Sequence, residues 1–173
     1  PSYKVSIVIP AYNQVGHTFQ CLRSIAEQTD SRDGFYEVLV IDNASSDETQ
    51  ELLTQVQGDV RVWRNEENLG FAKACNQGAL LARGDVVIFL NNDTEVHPGW
   101  IEALTDELEG NPSTGVVGAR LLYPDGTVQH AGVVIGRDQI PCHVHRGLPA
   151  DHPLVKDRRT FPVVTGACAG VRR

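Results

Sequence analysis

The chain has 173 residues, of which 41% are hydrophobic and 21% charged, and its formal net charge is −7. This is the composition of one globular domain, and no apolar run approaches the roughly 20 residues that cross a bilayer. The negative charge argues against nucleic acid as a partner, because a phosphate backbone requires a basic face. The four scattered cysteines favour a reduced cytoplasmic setting over a disulfide framework.

Short apolar runs alternate with helical patterns through the first 110 residues. The runs predict strands at residues 5–10, 36–42, 60–64 and 86–90. Helical spacing predicts helices at residues 18–28 and 70–82. A capping box at Ser45 and Glu48 predicts the start of another helix, which runs through Val56. Pro98 predicts the start of a fourth, which runs through Leu108. This alternation predicts an α/β fold with an open, mainly parallel sheet and helices on both faces.

The second part of the chain has a different character. Residues 115–122 and 127–136 flank a turn at 123–126 and predict one hairpin. Residues 137–160 contain three prolines and little periodicity, so a long loop is expected there. A further strand is predicted at 161–165.

Polar side chains follow each predicted strand of the first part. Asn13, Asp42, Asn68 and Asp93 come after the first, second, third and fourth strands. Ligands of open parallel sheets bind beyond the carboxyl ends of the strands, so these side chains are candidates for a nucleotide site. The alternative is that Asn and Asp simply favour turns.

Two aspartates have the sharpest functional interpretations. Asp93 is placed to hold Mg²⁺ or Mn²⁺ against a diphosphate, or else to cap the turn at 94–99. Asp42 is placed to bind a base or ribose, or else to form the turn before the next helix. Position alone leaves both alternatives open.

Several other sites are disfavoured by spacing. No G-x-G-x-x-G follows the first strand and no Walker A motif is present, so neither a dinucleotide fold nor a P-loop is indicated. A nucleotidyltransferase would need a glycine-rich, basic loop after that strand, which residues 10–13 do not supply. Cys142, His143 and His145 suggest zinc, but they lack the paired C-x-x-C spacing of a structural site.

Four blocks of sequence, in this order, resemble family 2 glycosyltransferases. They are VSIVIPAYNQ, VLVIDNASSDET, NLGFAKACNQG and VIFLNNDTEVHPGWIEAL. The later string GVVGARLLYPDGTVQHAGVVI is similar to the rhamnosyltransferase-like branch, and VTGACAGVRR to the start of the acceptor-side region. The resemblance covers almost the whole chain and implies the GT-A fold, a Rossmann-like nucleotide-diphospho-sugar transferase architecture.

The resemblance also implies a set of site residues. Those that would bind the nucleotide sugar are Ala11, Tyr12, Asn13, Asp42, Ser45, Asn68, Gly70, Lys73, Asn76 and Asn92. Asp93 would hold a divalent metal, Mg or Mn. Asn91 stands where the family's Asp-x-Asp motif often has its first carboxylate, so Asp93 would serve alone.

The reaction that the resemblance implies is metal-assisted, inverting sugar transfer. The donor would be a sugar of UDP or dTDP type and the acceptor a glycan or lipid-linked glycan, in polysaccharide biosynthesis in the cytoplasm or at the inner face of the membrane. The alternative is a domain that binds nucleotide sugar without turnover.

The resemblance further implies how the single domain is divided. Residues 1–110 would form the nucleotide-binding half, and 111–173 the start of an incomplete acceptor-side half. The family's general base lies in an acidic Glu-Asp motif downstream of the VTGACAGVRR-like segment. We therefore expect a C-terminally truncated GT-A domain whose base lies beyond Arg173.

Overall fold

Strands and helices alternate through the first 110 residues of the structure, a computed structural model that describes residues 3–29 and 34–173. The strands are β1 (Val5–Ala11), β2 (Tyr36–Asp42), β3 (Val60–Arg64) and β4 (Val86–Leu90). The helices are α1 (Val15–Gln28), α2 (Thr49–Gln55), α3 (Phe71–Leu81) and α4 (Trp100–Gly110). The predicted α/β alternation is confirmed, with ends shifted by up to three residues.

Short strands dominate the rest of the chain. They are β5 (Val116–Gly118), β6 (Leu121–Leu122), β7 (Val128–His130), β8 (Val133–Ile135), β9 (Pro141–His143) and β10 (Cys168–Arg172), with a 3₁₀ turn at Pro153–Val155. Within the described ranges, no helix is long and apolar enough to cross a membrane.

A six-stranded sheet in the order β3-β2-β1-β4-β10-β5 forms the centre of the fold. The first four strands in this order run parallel, and β10 is antiparallel to both β4 and β5. The sheet is therefore mainly parallel, as predicted. The sequence did not predict β10, because its small residues carry no alternating pattern. Close packing against β5 explains why a small residue lies there: a Cβ at Gly170 would lie only 3.2 Å from Val117 Cγ1.

Apolar side chains cover both faces of the sheet. On one face Ile7 and Ile9 pack with Ile25 of α1 and Leu104 of α4. On the other face Val8 packs with α3 residues. Successive β1 side chains point to opposite faces, and both sets are fully buried, which explains the continuously apolar strand.

Two predicted helix starts are wrong. Ser45 does not form a capping box, because its hydroxyl accepts a hydrogen bond from the Asn13 amide at 2.8 Å. Pro98 lies in a turn rather than at the first helical position: Gly99 adopts a left-handed conformation, with φ of 77°, and α4 begins only at Trp100. A residue in that conformation interrupts the helical path, which a proline pattern alone does not reveal.

The single hairpin predicted for residues 115–136 is wrong in its pairing. β6 and β7 do flank the predicted turn, where the Tyr123 amide donates to the Thr127 carbonyl at 2.8 Å. β5 instead pairs with β10 in the central sheet, and β8 pairs with β9 inside the predicted loop at 137–160. The predicted strand at 161–165 is reduced to one bridge between Val163 and Val133.

A buried ionic cluster closes the amino edge of the parallel strands. Glu37, only 1% exposed, accepts hydrogen bonds from the Ser6 hydroxyl at 2.7 Å and from Arg61 at 2.9 Å. Burial acts to raise the pKa of Glu37, but these hydrogen bonds outweigh it and hold that pKa below its ordinary value. The Gly84 amide donates to Ser6 Oγ at 2.9 Å and completes the cluster.

Gly84→Ala is expected to destabilise the protein by about 1–3 kcal/mol, the usual cost of overpacking. A Cβ at this position would lie 2.6 Å from the Ser6 nitrogen and the Val5 carbonyl carbon, and these backbone atoms of a central strand cannot move aside. Urea unfolding measures the loss. Gly110→Ala is the control, since its Cβ would meet nothing within 4 Å; equal stability of both variants would contradict this packing.

Candidate functional site

The carboxyl ends of the four parallel strands meet at one edge of the sheet. Ala11, the last residue of β1, is in register with Asp42 of β2, and Asp42 is in register with Arg64 of β3. β4 flanks β1 on its other side and ends at Leu90, directly before Asn91. The strand topology therefore brings the predicted polar loops to a common edge.

Asp42 is buried and fully engaged. Its side chain is 1% exposed, its Oδ1 accepts from the Ser45 amide at 2.9 Å, and its Oδ2 pairs with Arg64 Nη1. Arg64 Nη2 also donates to the Ser45 carbonyl at 2.9 Å. Arg64 therefore contacts both of the expected site residues, Asp42 and Ser45. The sequence analysis did not predict a role for Arg64.

The loops after β1 and β2 are connected through side chains. Asn13 Oδ1 accepts from the Ser46 amide at 2.7 Å, and Asp47 accepts from the amides of Val15 at 3.0 Å and Thr49 at 3.1 Å. Burial acts to raise the pKa of Asp47, but the bonds from Thr49 and Val15 prevail and lower it. Asp47 therefore holds the first turns of both α1 and α2, a role the sequence analysis gave to Ser45 and Glu48 for α2.

Tyr12 presents a different surface from its neighbours in the β1 loop. Ala11 is buried, whereas the Tyr12 side chain is 48% exposed. An exposed aromatic ring beside a strand end offers a flat apolar surface for stacking. This position is compatible with the nucleotide contact that the resemblance implies.

A cluster of amides fixes the loop at 65–70. Asn43 Oδ1 accepts from Asn65 Nδ2 at 3.0 Å and from the Leu69 amide at 3.1 Å, while its Nδ2 donates to Asn68 Oδ1 at 2.8 Å. Asn65 and Gln77 exchange two further hydrogen bonds, at 2.8 and 3.0 Å. The sequence analysis did not single out Asn43 as the residue that fixes this loop. The signal that could have identified it is its position directly after Asp42, at the end of β2.

Asn68 has its oxygen committed and its amide group free. Oδ1 accepts from Asn43 and from the Gly70 amide at 2.9 Å, whereas Nδ2 has no partner among the described residues. Because the residue is exposed, Nδ2 is a donor available to a ligand.

The start of α3 follows this loop. Gly70 takes φ of 83°, a left-handed value that glycine adopts readily, and α3 begins at Phe71. The side chains of Lys73 and Asn76 are exposed on the first turns of α3 and make no hydrogen bond to another described residue. A helix amino terminus with a nearby lysine attracts anions.

The segment after β4 carries the candidate metal ligand. Asp93 is exposed and makes no hydrogen bond to a described residue, whereas Asn92 Nδ2 donates to Thr18 Oγ1 at 3.0 Å. Cys21 lies nearby, with its Sγ 3.6 Å from the Asn91 carbonyl oxygen. Burial and then the charge of Asp93 raise the pKa of Cys21 to about 12, so this thiol stays protonated beside the carboxylate.

Residues 91–93 offer oxygen ligands of the kind that a divalent metal prefers. In the described part of the chain, Asn91 Oδ1 is one of two buried side-chain oxygens that lack a hydrogen-bond partner. No three His, Cys, Asp or Glu side chains converge on a metal position within residues 3–29 and 34–173. One free carboxylate and an unpartnered amide oxygen fit Mg²⁺ or Mn²⁺ that takes its remaining ligands from phosphate and water.

His143, one of the three candidate zinc ligands, pairs with His130 instead of joining a metal cluster. His130 Nδ1 and His143 Nδ1 lie 3.0 Å apart, and His130 Nε2 accepts from the Thr165 amide at 3.4 Å. Burial, followed by the charge of His143, lowers the pKa of His130. Cys142 is exposed, and among the described residues its thiol donates to the Ile140 carbonyl.

Comparison with solved structures gives the fold class. Mannosyltransferase PcManGT from Pyrobaculum calidifontis, solved with GDP-Man and Mn²⁺, matches all of this chain and 45% of its own, with a TM-score of 0.67 at 19% identity. Residues 1–349 of TarS from S. aureus, solved with UDP-GlcNAc, match 68% of this chain and 34% of that one, with a TM-score of 0.61 at 23% identity. These neighbours share the GT-A fold.

Comparison with curated proteins gives two relatives over nearly the full chain. An uncharacterised protein, y4gI, from Sinorhizobium fredii is 35% identical over 98% of this chain and 19% of its own length. O-antigen biosynthesis protein RfbC from Myxococcus xanthus is 34% identical over 98% of this chain and 14% of its own length. The chain thus spans less than a fifth of either protein.

The family match covers almost every residue. Glycosyltransferase AglE from Haloferax volcanii is 33% identical over 70% of this chain and 41% of its own length. The sequence profile described as "Glycosyl transferase family 2" matches residues 6–173. The fold, the strand-end residues and this match agree, and the chain therefore belongs to glycosyl transferase family 2.

Proposed function

We propose that this chain binds a nucleoside-diphosphate sugar at the carboxyl edge of its parallel sheet and that the whole protein transfers the sugar to an acceptor hydroxyl with inversion. The observation that carries the proposal is the gathering of Tyr12, Asp42, Asn68 and Asp93 at the carboxyl ends of four parallel strands. The relatives support it, since they include a glycosyltransferase and an O-antigen biosynthesis protein. The solved neighbours contain UDP-GlcNAc or GDP-Man.

The nucleoside would lie against the loops after β1 and β2. Tyr12 offers an exposed ring for the base or ribose, and Ala11, Asn13 and Ser45 would line the site beside it. The proposed donor is of UDP or dTDP type. Because Asn13 and Ser45 are already hydrogen-bonded to the neighbouring loop, this part of the site is formed before ligand arrives.

The diphosphate would lie between the start of α3 and Asp93. The free Asn68 Nδ2, the Lys73 ammonium and Asn76 supply donors on one side, next to the positive end of the α3 dipole. Asp93, Asn92 and the unpartnered Asn91 oxygen would supply ligands on the other side. A divalent metal bound there would neutralise charge on the departing diphosphate.

The acceptor side is assigned to residues 111–173, with 1–110 as the nucleotide-binding half. Transfer requires a general base within hydrogen-bond reach of the acceptor hydroxyl. Asp125 is committed to its turn, where Thr127 donates to it through its amide at 2.9 Å and its hydroxyl at 2.7 Å. These two bonds lower the pKa of Asp125, which makes it a weak base. From the resemblance, we propose that the base lies in the acidic Glu-Asp motif expected downstream of the VTGACAGVRR-like segment.

Asp93→Ala is expected to weaken UDP binding about tenfold in the presence of Mn²⁺, equal to about 1.4 kcal/mol. Without metal, affinity should be unchanged, because the carboxylate acts through the cation. Isothermal titration of the 173-residue chain with UDP, with and without Mn²⁺, measures both. Asp106→Ala, which removes an exposed carboxylate from α4, is the control. Equal Mn²⁺-dependent affinity in all three proteins would place the metal elsewhere.

Asn68→Asp is expected to weaken UDP binding about tenfold without lowering the melting temperature. An aspartate retains the oxygen that accepts from Asn43 and Gly70, but it replaces the free amide donor by a charged oxygen facing the diphosphate. Titration and thermal denaturation separate the two effects. Gln55→Glu adds the same charge at an exposed position on α2 and should change neither. Unaltered UDP affinity in the Asn68 variant would remove this residue from the site.

A further inference from the structure

The segment before β10 lies at the same carboxyl edge as the proposed nucleotide site. β10 runs antiparallel to β4, so its first residue, Cys168, is in register with Leu90, the last residue of β4. The Ala167 carbonyl accepts a hydrogen bond from the Asn91 amide at 2.9 Å. Residues 165–167 therefore lie beside the segment proposed for the metal, on the side of β4 away from β1 and β2.

The Phe71 ring reaches this segment from the start of α3. A Cβ placed on Gly166 would lie 3.6 Å from Phe71 Cε1 and 3.8 Å from Cζ. Apart from chain neighbours, no other atom of the described residues would lie within 4 Å of that Cβ. Gly166 is exposed, and the Phe71 side chain is 50% exposed. The tip of the ring thus meets the segment while much of its surface stays open.

Packing of the core does not account for Phe71. The residues that α3 buries are Ala74, Cys75 and Gly78, and among the described residues Phe71 belongs to neither core cluster. An aromatic residue also has a lower helix propensity than alanine, so the helix itself gains nothing from this ring. A half-exposed ring at the mouth of a candidate site is better explained by a ligand.

We propose that Phe71 and Gly166 form the subsite for the sugar of the donor, with the ring stacked against a C–H face of a hexose. This inference rests on the proposed function, since the sugar is bonded to the diphosphate placed between α3 and Asp93. The nucleoside lies toward β1 and β2, so the sugar at the other end of the diphosphate extends toward β10. There it meets the Phe71 ring, whose flat apolar surface suits the C–H groups of a sugar face.

The surroundings of the ring favour a neutral sugar over a uronic acid. Residues 161–170 contain no charged side chain. In the proposed site, Lys73 and Asn68 Nδ2 donate to the diphosphate. A sugar carboxylate held against the ring would lose water without gaining a cationic partner, which is costly. The predicted donor sugar is therefore a neutral hexose.

Gly166 keeps the ring accessible. Its φ lies outside the left-handed region, so the backbone does not require glycine there. A larger side chain would make ordinary contact with the tip of the Phe71 ring and cover part of the surface proposed for the sugar. The missing side chain at this position thus serves the ligand and not the fold.

The test separates binding of the sugar from binding of the nucleotide. Titrations of the 173-residue chain with Mn²⁺ would compare free UDP with UDP-glucose, UDP-galactose and UDP-N-acetylglucosamine. The variants are Phe71→Ala, Phe71→Tyr, which retains a ring, and Gly166→Leu, which covers the ring. Leu80→Ala is the matched control, because it removes an apolar side chain that is 86% exposed on the same helix. Circular dichroism checks that each variant folds.

The expected effect is a selective loss of affinity for nucleotide sugars. Phe71→Ala should weaken the tightest-binding of the three about fivefold, and change UDP affinity by less than about twofold, because UDP lacks the sugar. Gly166→Leu should show the same selective loss. Phe71→Tyr and Leu80→Ala should bind like the unaltered chain. UDP-glucuronic acid should bind the unaltered chain at least about fivefold more weakly than UDP-glucose, which differs from it only at C6.

The results distinguish this inference from the proposed function. Equal losses for UDP and for the nucleotide sugars in Phe71→Ala, or no loss for either, would overturn the subsite and leave the proposed function intact. Unaltered binding of nucleotide sugars by Gly166→Leu would remove Gly166 from it. Tighter binding of UDP-glucuronic acid than of UDP-glucose would overturn the neutral sugar. If UDP itself does not bind, the proposed function fails and the subsite fails with it.

Discussion

Parallel pairing of β1 with β2 on one side and with β4 on the other places the strand ends of the nucleotide-binding half at one edge. The loops that follow β1, β2, β3 and β4 have little sequence in common, yet this strand pairing makes them neighbours. Their backbones are then fixed by short side chains: Asp47 for the loops after β1 and β2, and Asn43 for the loop before α3. Without the common edge, none of these contacts would form.

Each edge of the sheet holds one buried acidic residue that is paired with an arginine. At the amino edge, Glu37 is surrounded by donors from Ser6, Arg61 and the Arg83 amide, so its charge is satisfied inside the protein. At the carboxyl edge, Asp42 is equally buried and is held by Arg64 and the Ser45 amide. Both arginines are partly exposed, Arg61 at 31% and Arg64 at 38%, so each pair links a buried charge to the protein surface.

The first part of the chain could be predicted because its signals are local. Apolar runs such as Val86–Leu90 and helical spacing in α3 are visible within a few residues, and the structure confirms them. β10 could not be predicted, since its small residues form a strand only because β4 and β5 leave room for them. The β5 pairing failed for the same reason: its partner lies some fifty residues later in the chain.

The sequence predicts where the candidate site residues lie, but not which side chains they form hydrogen bonds with. Asp42, Asn68 and Asp93 lie at the strand ends where the sequence places them, and their contacts with a nucleotide sugar stay predictions. Arg64 and Gln77 were missed, because their roles depend on side chains that meet across the sheet edge. Long-range hydrogen bonds of this kind have no periodic signature in a single sequence.

Binding of a nucleoside diphosphate at the carboxyl edge of the parallel sheet underlies the whole proposed function. The most direct measurement is amide chemical-shift mapping of the isotope-labelled chain on addition of UDP with Mg²⁺. The largest shifts should fall on Tyr12, Ser45, Gly70 and Asp93, while Ser6, Glu37 and Gly84 at the opposite edge stay unchanged. Shifts concentrated at the amino edge or on the β6–β9 hairpins, with the strand-end loops unaffected, would contradict it.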